Sequence, residues 1–240
     1  MNLADASPSS STRRVALAWG VHLFTASGAV IAVVALVAIA RGDYATAGVL
    51  MLAALFIDSV DGTLARAVGV ASATPRIDGR RLDDIVDFLG YAIVPTFFLL
   101  AIGALPHWAW AAVPILASCY GFSQAEAKTE DDFFLGWPSY WNVVALYVWL
   151  LDIGPIAATA IVTAFALAIF VPLKYIYPSK LRVLRTPTII GALVWGTCIV
   201  VSIAAPRHAR SFHLVEISLS YPAYYLGLSA WLGGWTGRRR

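Results

Sequence analysis

Eight apolar runs divide this sequence, each closed by turn residues, and few kinds of molecule can be built from such a pattern. They cover residues 19–40, 44–66, 82–105, 108–123, 138–153, 156–177, 188–205 and 214–235. A helix crossing the roughly 30 Å of bilayer hydrocarbon needs about 20 apolar residues, and most of the runs approach or reach that length. Hydrophobic residues make up 60% of the chain against 13% charged, with a mean hydropathy of +0.75, which excludes an ordinary soluble domain. The fold class expected is therefore all-α: a polytopic integral membrane helical bundle of about eight transmembrane helices. The fourth and fifth runs are short, so a six-span core with two re-entrant or interfacial pieces is the alternative. Turn chemistry separates the runs, as in "RGD" at Arg41, "LPHW" at Leu105 and "DIGP" at Asp152.

The opening "MNLADASPSSSTRR" is polar and Ser-rich, and the apolar run after it is too long for a secretory signal core. Residues 1–14 are expected to form a disordered cytoplasmic tail, and residues 15–240 a single membrane domain. Cys119 and Cys198 lie within apolar runs without metal or disulfide spacing, and they read as small hydrophobes. With an even number of spans and a cytoplasmic start, 14 of the 17 Lys and Arg residues fall on the inside, leaving only Arg41, Arg207 and Arg210 outside. That bias is the positive-inside pattern of a multi-pass membrane protein with both termini cytoplasmic. No nucleic-acid partner is expected.

Against this background the stretch "DSVDGTLARAVGVASATPRIDGRRLDDIVDF" concentrates acids on the cytoplasmic side. Asp58 and Asp61 are three apart near the end of the second run, and Asp83 and Asp87 are four apart at the start of the third; each spacing shares one helix face. Two antiparallel helices joined by the loop between them bring four carboxylates together. Unscreened charges at that depth repel and are costly to desolvate, so the acids are protonated or a cation sits among them. Hard oxygen donors suit Mg²⁺ or Mn²⁺, as one ion or a pair. Gly62 inside a helix costs about 1 kcal/mol relative to Ala, which indicates close approach to the backbone. Ala65 is also small, Arg66 offers a planar fork for phosphate, and Gly79 permits close approach in the loop. A lone Asp at a helix end is ordinarily a solvated cap, and a lone membrane Gly a packing contact. The joint pattern D-x2-D-G-x2-A-R-x12-G-x3-D-x3-D is much harder to explain that way.

That pattern resembles the signature of the CDP-alcohol phosphotransferases. Its eight positions are filled by Asp58, Asp61, Gly62, Ala65, Arg66, Gly79, Asp83 and Asp87. The twelve residues between Arg66 and Gly79 make a longer gap than most members have. This gap, together with "HLFTASG" at His22 and "KTEDDFFLGWPSYWN" at Lys128, is similar to the bacterial branch that joins choline to CDP-diacylglycerol, releasing phosphatidylcholine and CMP. Asp78 departs from the small hydroxyl residue expected before the second Gly. The resemblance implies that Asp58, Asp61, Asp83 and Asp87 ligate two divalent cations, with Asp87 also the catalytic base. It implies that Gly62, Ala65, Arg66 and Gly79 bind CDP-diacylglycerol and that the protein is a homodimer among membrane lipids.

A quaternary ammonium is recognised by aromatic faces, which makes Tyr91, Tyr120, Trp137, Tyr140 and Trp141 candidate acceptor-binding residues, although the same rings suit an interfacial belt. Glu126, Glu130, Asp131 and Asp132 could attract the cation or simply be solvated. The basic residues Lys174, Lys180, Arg182 and Arg185 suit anionic headgroups or a topology signal alone. His22 reads as a packed residue, and Thr25 and Ser27 as candidates to reach the nucleotide. Serine, inositol or a polyol phosphate as acceptor is the alternative within the family. A cation transporter is the alternative outside it, disfavoured because transport sites sit near the midplane.

Overall fold

The computed structural model describes residues 8–235, with side chains from residue 12 onward. Helix α1 (Pro8–Ala40) and α2 (Tyr44–Val68) form an antiparallel pair across a tight turn at Arg41 and Gly42. Asp43 caps α2 by accepting from the Thr46 amide at 3.0 Å. Residues 1–7 of the expected tail lie outside the described residues, whereas from Pro8 the chain is already helical. Arg14 shows why its inner part is ordered: the guanidinium donates to the Val68 carbonyl (3.1 Å) and to the Ser72 hydroxyl (2.8 Å), tying α1 to the far end of α2.

After the short α3 (Val70–Ala73), a loop leads to α4 (Gly79–Asp87). Asp78, the residue that departs from the family pattern, accepts from the Arg81 amide at 3.1 Å. It therefore does the helix-capping work that a Ser or Thr performs elsewhere. A π-helical turn (Phe88–Ile93) and α5 (Val94–Ala101) continue α4 as one rod. Pro95 has no amide hydrogen, and its ring would crowd the carbonyl four residues earlier, so a widened turn just before it relieves both problems. Where α4 passes α1, a Cβ on Gly28 would lie 2.7 Å from a Val86 methyl. Only glycine lets these two helices approach that closely.

The second half is built from shorter pieces. A 3₁₀ turn (Trp108–Ala111) leads into α6 (Ala112–Ser123); α7 (Trp141–Leu150), α8 (Pro155–Ile169), α9 (Arg185–Ala204), α10 (Pro206–Ser211), α11 (Leu214–Ser218) and α12 (Ser220–Leu232) follow. Strands β1 (Phe133–Leu135) and β2 (Lys174–Ile176) pair antiparallel, Phe134 opposite Tyr175. They join the loop before α7 to the one after α8. The core gathers around Phe98, Met51, Trp141 and Leu146, with Phe98 and Trp149 edge to face at 5.6 Å.

Four segments among the described residues are long and apolar enough to cross a membrane: 12–40, 44–68, 79–101 and 185–204. The other four expected runs hold shorter helices; α7 has 10 residues and α8 has 15, and the run expected to span 156–177 leaves the helix after Ile169 and ends in β2. At 1.5 Å per residue, ten residues reach only about 15 Å, half the hydrocarbon thickness. Large apolar side chains such as Leu23 and Ile156 remain 73% and 90% exposed, as lipid-facing residues do.

Candidate active site

The rod formed by α4 and α5 lies against α2, and there the acids meet. Asp58, Asp83 and Asp87 each present a carboxylate oxygen, all within 4.8 Å of one another. Asp61, one turn beyond Asp58, is buried at the edge of this cluster and accepts a 2.8 Å hydrogen bond from the Thr25 hydroxyl of α1. Thus three of the four acids form a tight group, and the fourth is held toward α1. The Tyr91 hydroxyl donates to Asp58 at 2.5 Å. Residues four apart in an α-helix drift by roughly 40° around the axis. The π-turn after Asp87 winds less per residue, counters that drift, and keeps Tyr91 in line with Asp83 and Asp87.

The oxygen-only donor set fits a hard divalent cation of the Mg²⁺ or Mn²⁺ kind. Three carboxylates this close also demand a positive partner. Lys128 supplies one, its ammonium 3.7 Å from Asp83 and 3.9 Å from Asp84. Burial by itself would push the Lys128 ammonium down; Tyr177, Asp83, Asp87 and Asp84 together hold it above the usual lysine value. The residue stays charged.

The remaining motif positions divide between two surroundings. Arg66 donates to the Thr63 hydroxyl at 3.1 Å, and a Cβ on Gly62 would sit 3.3 Å from the Arg66 guanidinium. Gly79 faces the His22 ring at 3.4 Å by the same measure. Ala65 packs with the small cluster of Ala18, Val21 and Val70, so here it serves the approach of α1 to α2. His22, read as a packed residue, is buried and hydrogen-bonded to Thr74 at 2.9 Å. Ser27 turns back onto the Phe24 carbonyl at 2.6 Å, the local bond that hydroxyls in membrane helices ordinarily make.

A cavity opens beside the carboxylates. Asp58, Asp84 and Asp87 form one wall; the rings of Tyr91, Phe122, Phe134, Trp137, Tyr140 and Tyr177 line much of the rest, with Lys128 and Arg80 also at its surface. Tyr91 and Tyr140 are 5.8 Å apart, and Trp137 packs on Phe165 at 4.6 Å. Of the five aromatic candidates, Tyr91, Trp137 and Tyr140 line this cavity. Tyr120 instead stacks on Phe170 at 4.6 Å and is 46% exposed, because its helix turns it outward. Trp141 is fully buried and donates to the Ser118 hydroxyl at 2.7 Å. It holds the start of α7 and does not reach the cavity. Phe134, Tyr177 and Lys128 were not singled out by sequence reasoning. They arrive through the β1–β2 pairing and a β-bridge between Lys128 and Phe134, for which short strands leave little local signal.

Two of the acidic loop residues pair with two of the basic ones. Lys174 pairs with Asp131 at 2.5 Å and Lys180 with Asp132 at 3.0 Å. These two pairs tie the loop before β1 to β2 and to the turn that follows it.

Known proteins resemble this chain in sequence. The profile of the CDP-alcohol phosphatidyltransferase family matches residues 22–173, which hold every motif acid and Lys128. A phosphatidylcholine synthase from Legionella pneumophila subsp. pneumophila is 42% identical over 88% of this chain and 87% of its own length. One from Legionella bozemanae is 39% identical over 84% of this chain and 97% of its own. One from Borreliella burgdorferi is 33% identical over 89% and 93%. A match across more than half of the chain, joined to relatives aligned almost end to end, makes this chain a member of the CDP-alcohol phosphatidyltransferase family.

Proposed function

We propose that this enzyme is a phosphatidylcholine synthase, transferring the phosphatidyl group of CDP-diacylglycerol to choline with release of CMP. The observation that carries the reading is the shared boundary between a carboxylate cluster and an aromatic-lined cavity. A quaternary ammonium has no N–H to donate and is stabilised by ring faces and nearby negative charge, and this cavity offers both. Several relatives bear that name.

Asp58, Asp83 and Asp87, with Asp61 alongside, would hold one or two Mg²⁺ or Mn²⁺ ions. Bound there, the metal supplies charge stabilisation for the diphosphate and the departing CMP. Arg66 sits beside Gly62 and can offer its fork to the nucleotide phosphates. Tyr91 orients Asp58 through its hydrogen bond, while Tyr140 and Trp137 shape the acceptor side. Asp87 borders both the cluster and the cavity. Its carboxylate takes the hydroxyl proton of choline as the oxygen attacks the diacylglycerol phosphorus in line, and the P–O bond to CMP breaks.

The topology that best accompanies this site has eight membrane-embedded segments, the four long helices plus the shorter ones, in the bacterial inner membrane. Both ends and the site face the cytoplasm, in keeping with the basic-residue bias, and the protein is a homodimer. Purified protein given CDP-diacylglycerol, Mn²⁺ and each alcohol in turn tests the assignment. Choline should drive CMP release far more than serine, inositol or glycerol 3-phosphate, with phosphatidylcholine as the lipid product; a preference for another alcohol overturns the acceptor.

A further inference from the structure

Lys128 has no place in the eight-position motif, yet its ammonium is where the two halves of the site touch. It lies 3.7 Å from Asp83 and 3.9 Å from Asp84 on one side, lines the aromatic cavity on the other, and stands 5.9 Å from the centre of the Tyr177 ring. Its backbone is fixed by the bridge to Phe134 and by the neighbouring Thr129, whose amide donates to the Phe133 carbonyl at 2.8 Å. The side chain therefore starts from a held loop and ends between donor and acceptor.

Divalent cations at the carboxylate cluster would repel an ammonium this near unless an anion lay between them. With choline in the cavity and the donor's diphosphate at the carboxylate cluster, as proposed above, the anion brought to that seam is the phosphoryl group in transfer. We infer that Lys128 is a further catalytic residue, donating from its ammonium to a non-bridging oxygen of the phosphoryl group as it passes from CMP to the acceptor alcohol. This rests on the transferase reading proposed above. No bond to Lys128 forms or breaks, and no proton leaves it. The alternative role is a structural counter-ion that only quiets Asp83 and Asp84.

The two roles separate experimentally. In Lys128→Met, kcat should fall by about 10²-fold, the usual effect of losing one such donor, while both KM values stay within about threefold because the contact is strongest in the transition state. Mn²⁺ affinity, followed by electron paramagnetic resonance without substrate, should be unchanged or tighter, since a competing positive charge is gone. Lys128→Arg should recover part of the lost kcat and Lys128→Gln should not. Sulfur in place of a non-bridging oxygen on the diacylglycerol phosphate should slow wild type more than Lys128→Met. Near-normal kcat in Lys128→Met, or loss of Mn²⁺ affinity in step with rate, overturns the inference. If Lys128→Met fails to accumulate folded, equal rates for the Arg and Gln variants overturn it as well. Failure of the wild type itself to release CMP with any alcohol would instead defeat the transferase reading.

Discussion

The two walls of the cavity are made in different ways. The carboxylate wall belongs to α2 and the α4–α5 rod, continuous helices of which α2 alone runs 25 residues. Much of the aromatic wall belongs to loops before α7 and after α8, joined by three-residue strands and two ion pairs. Helical spacing sets the relative positions of acids on one rod to within a turn. The loop wall depends on contacts between residues some forty positions apart. The first wall suits chemistry that tolerates no misplacement, and the second suits selection among small acceptors.

The largest effect should come from breaking the helical wall. Replacing Asp83 with Ala removes one of three oxygens within 4.8 Å and should reduce CMP release to background, with Mn²⁺ binding weakened in parallel. Turnover near the wild-type rate would remove Asp83 from the metal site.

Asp87→Asn sharpens the distinction, because Asp87 belongs to both the cluster and the cavity lining. Asn keeps the size and one oxygen but cannot accept the hydroxyl proton. Turnover should fall by about 10²-fold or more, the usual contribution of general-base catalysis, while CDP-diacylglycerol affinity by titration largely persists. A parallel collapse of affinity would make Asp87 chiefly a ligand.

The same contrast explains what the sequence discloses. Asp58, Asp61, Asp83 and Asp87 are legible because intervals of three and four have one meaning on a helix. The long apolar runs are legible as helices from length and composition, although these do not reveal that α7 stops after 10 residues or that the run at 156–177 ends in a strand. Trp137 and Trp141 show where legibility ends. They too are four apart, yet the chain between them is not helical: Pro138 follows Trp137 and Ser139 has a φ of +56°. The two rings still meet edge to face at 4.6 Å, but only Trp137 lines the cavity, while Trp141 is buried against Ser118. Tyr177 and Lys128 depend on strand pairing, which a three-residue strand hardly announces. The π-turn that aligns Tyr91 has as its main local cue Pro95, which marks a disturbance without stating its form.

Gly136 offers a way to break the loop wall alone. Its φ is +83°, and a Cβ there would strike the Ile169 carbonyl oxygen. Gly136→Ala must therefore shift the backbone beside Trp137, at a cost of about 1–2 kcal/mol in the left-handed region alone. The expected outcome is a choline KM raised about tenfold, consistent with that energy, while Mn²⁺ affinity is untouched. Loss of Mn²⁺ affinity in Gly136→Ala would mean that the two walls are not separable.

The smallest effect should come from the Lys174–Asp131 pair, which fastens the loop wall from outside. Lys174, with help from Thr129, holds the Asp131 carboxyl below its ordinary value. A carboxylate whose folded value is depressed adds stability above its unfolded value of about 3.9, and that stability is lost as pH falls through the folded value. At neutral pH the contribution is fully present, but the side chains are 54% and 38% exposed, so solvent and salt screen it to about 0.5 kcal/mol. Asp131→Asn should therefore lower the melting temperature by about 1–2 °C at neutral pH. The difference from wild type should shrink in about 1 M salt, where the Debye length is about 3 Å, and disappear in acid. Choline KM should rise by less than about twofold, because β1–β2 pairing still holds the loops together. A tenfold rise in choline KM would mean that the ion pair, and not the strand pairing, sets the shape of the acceptor side.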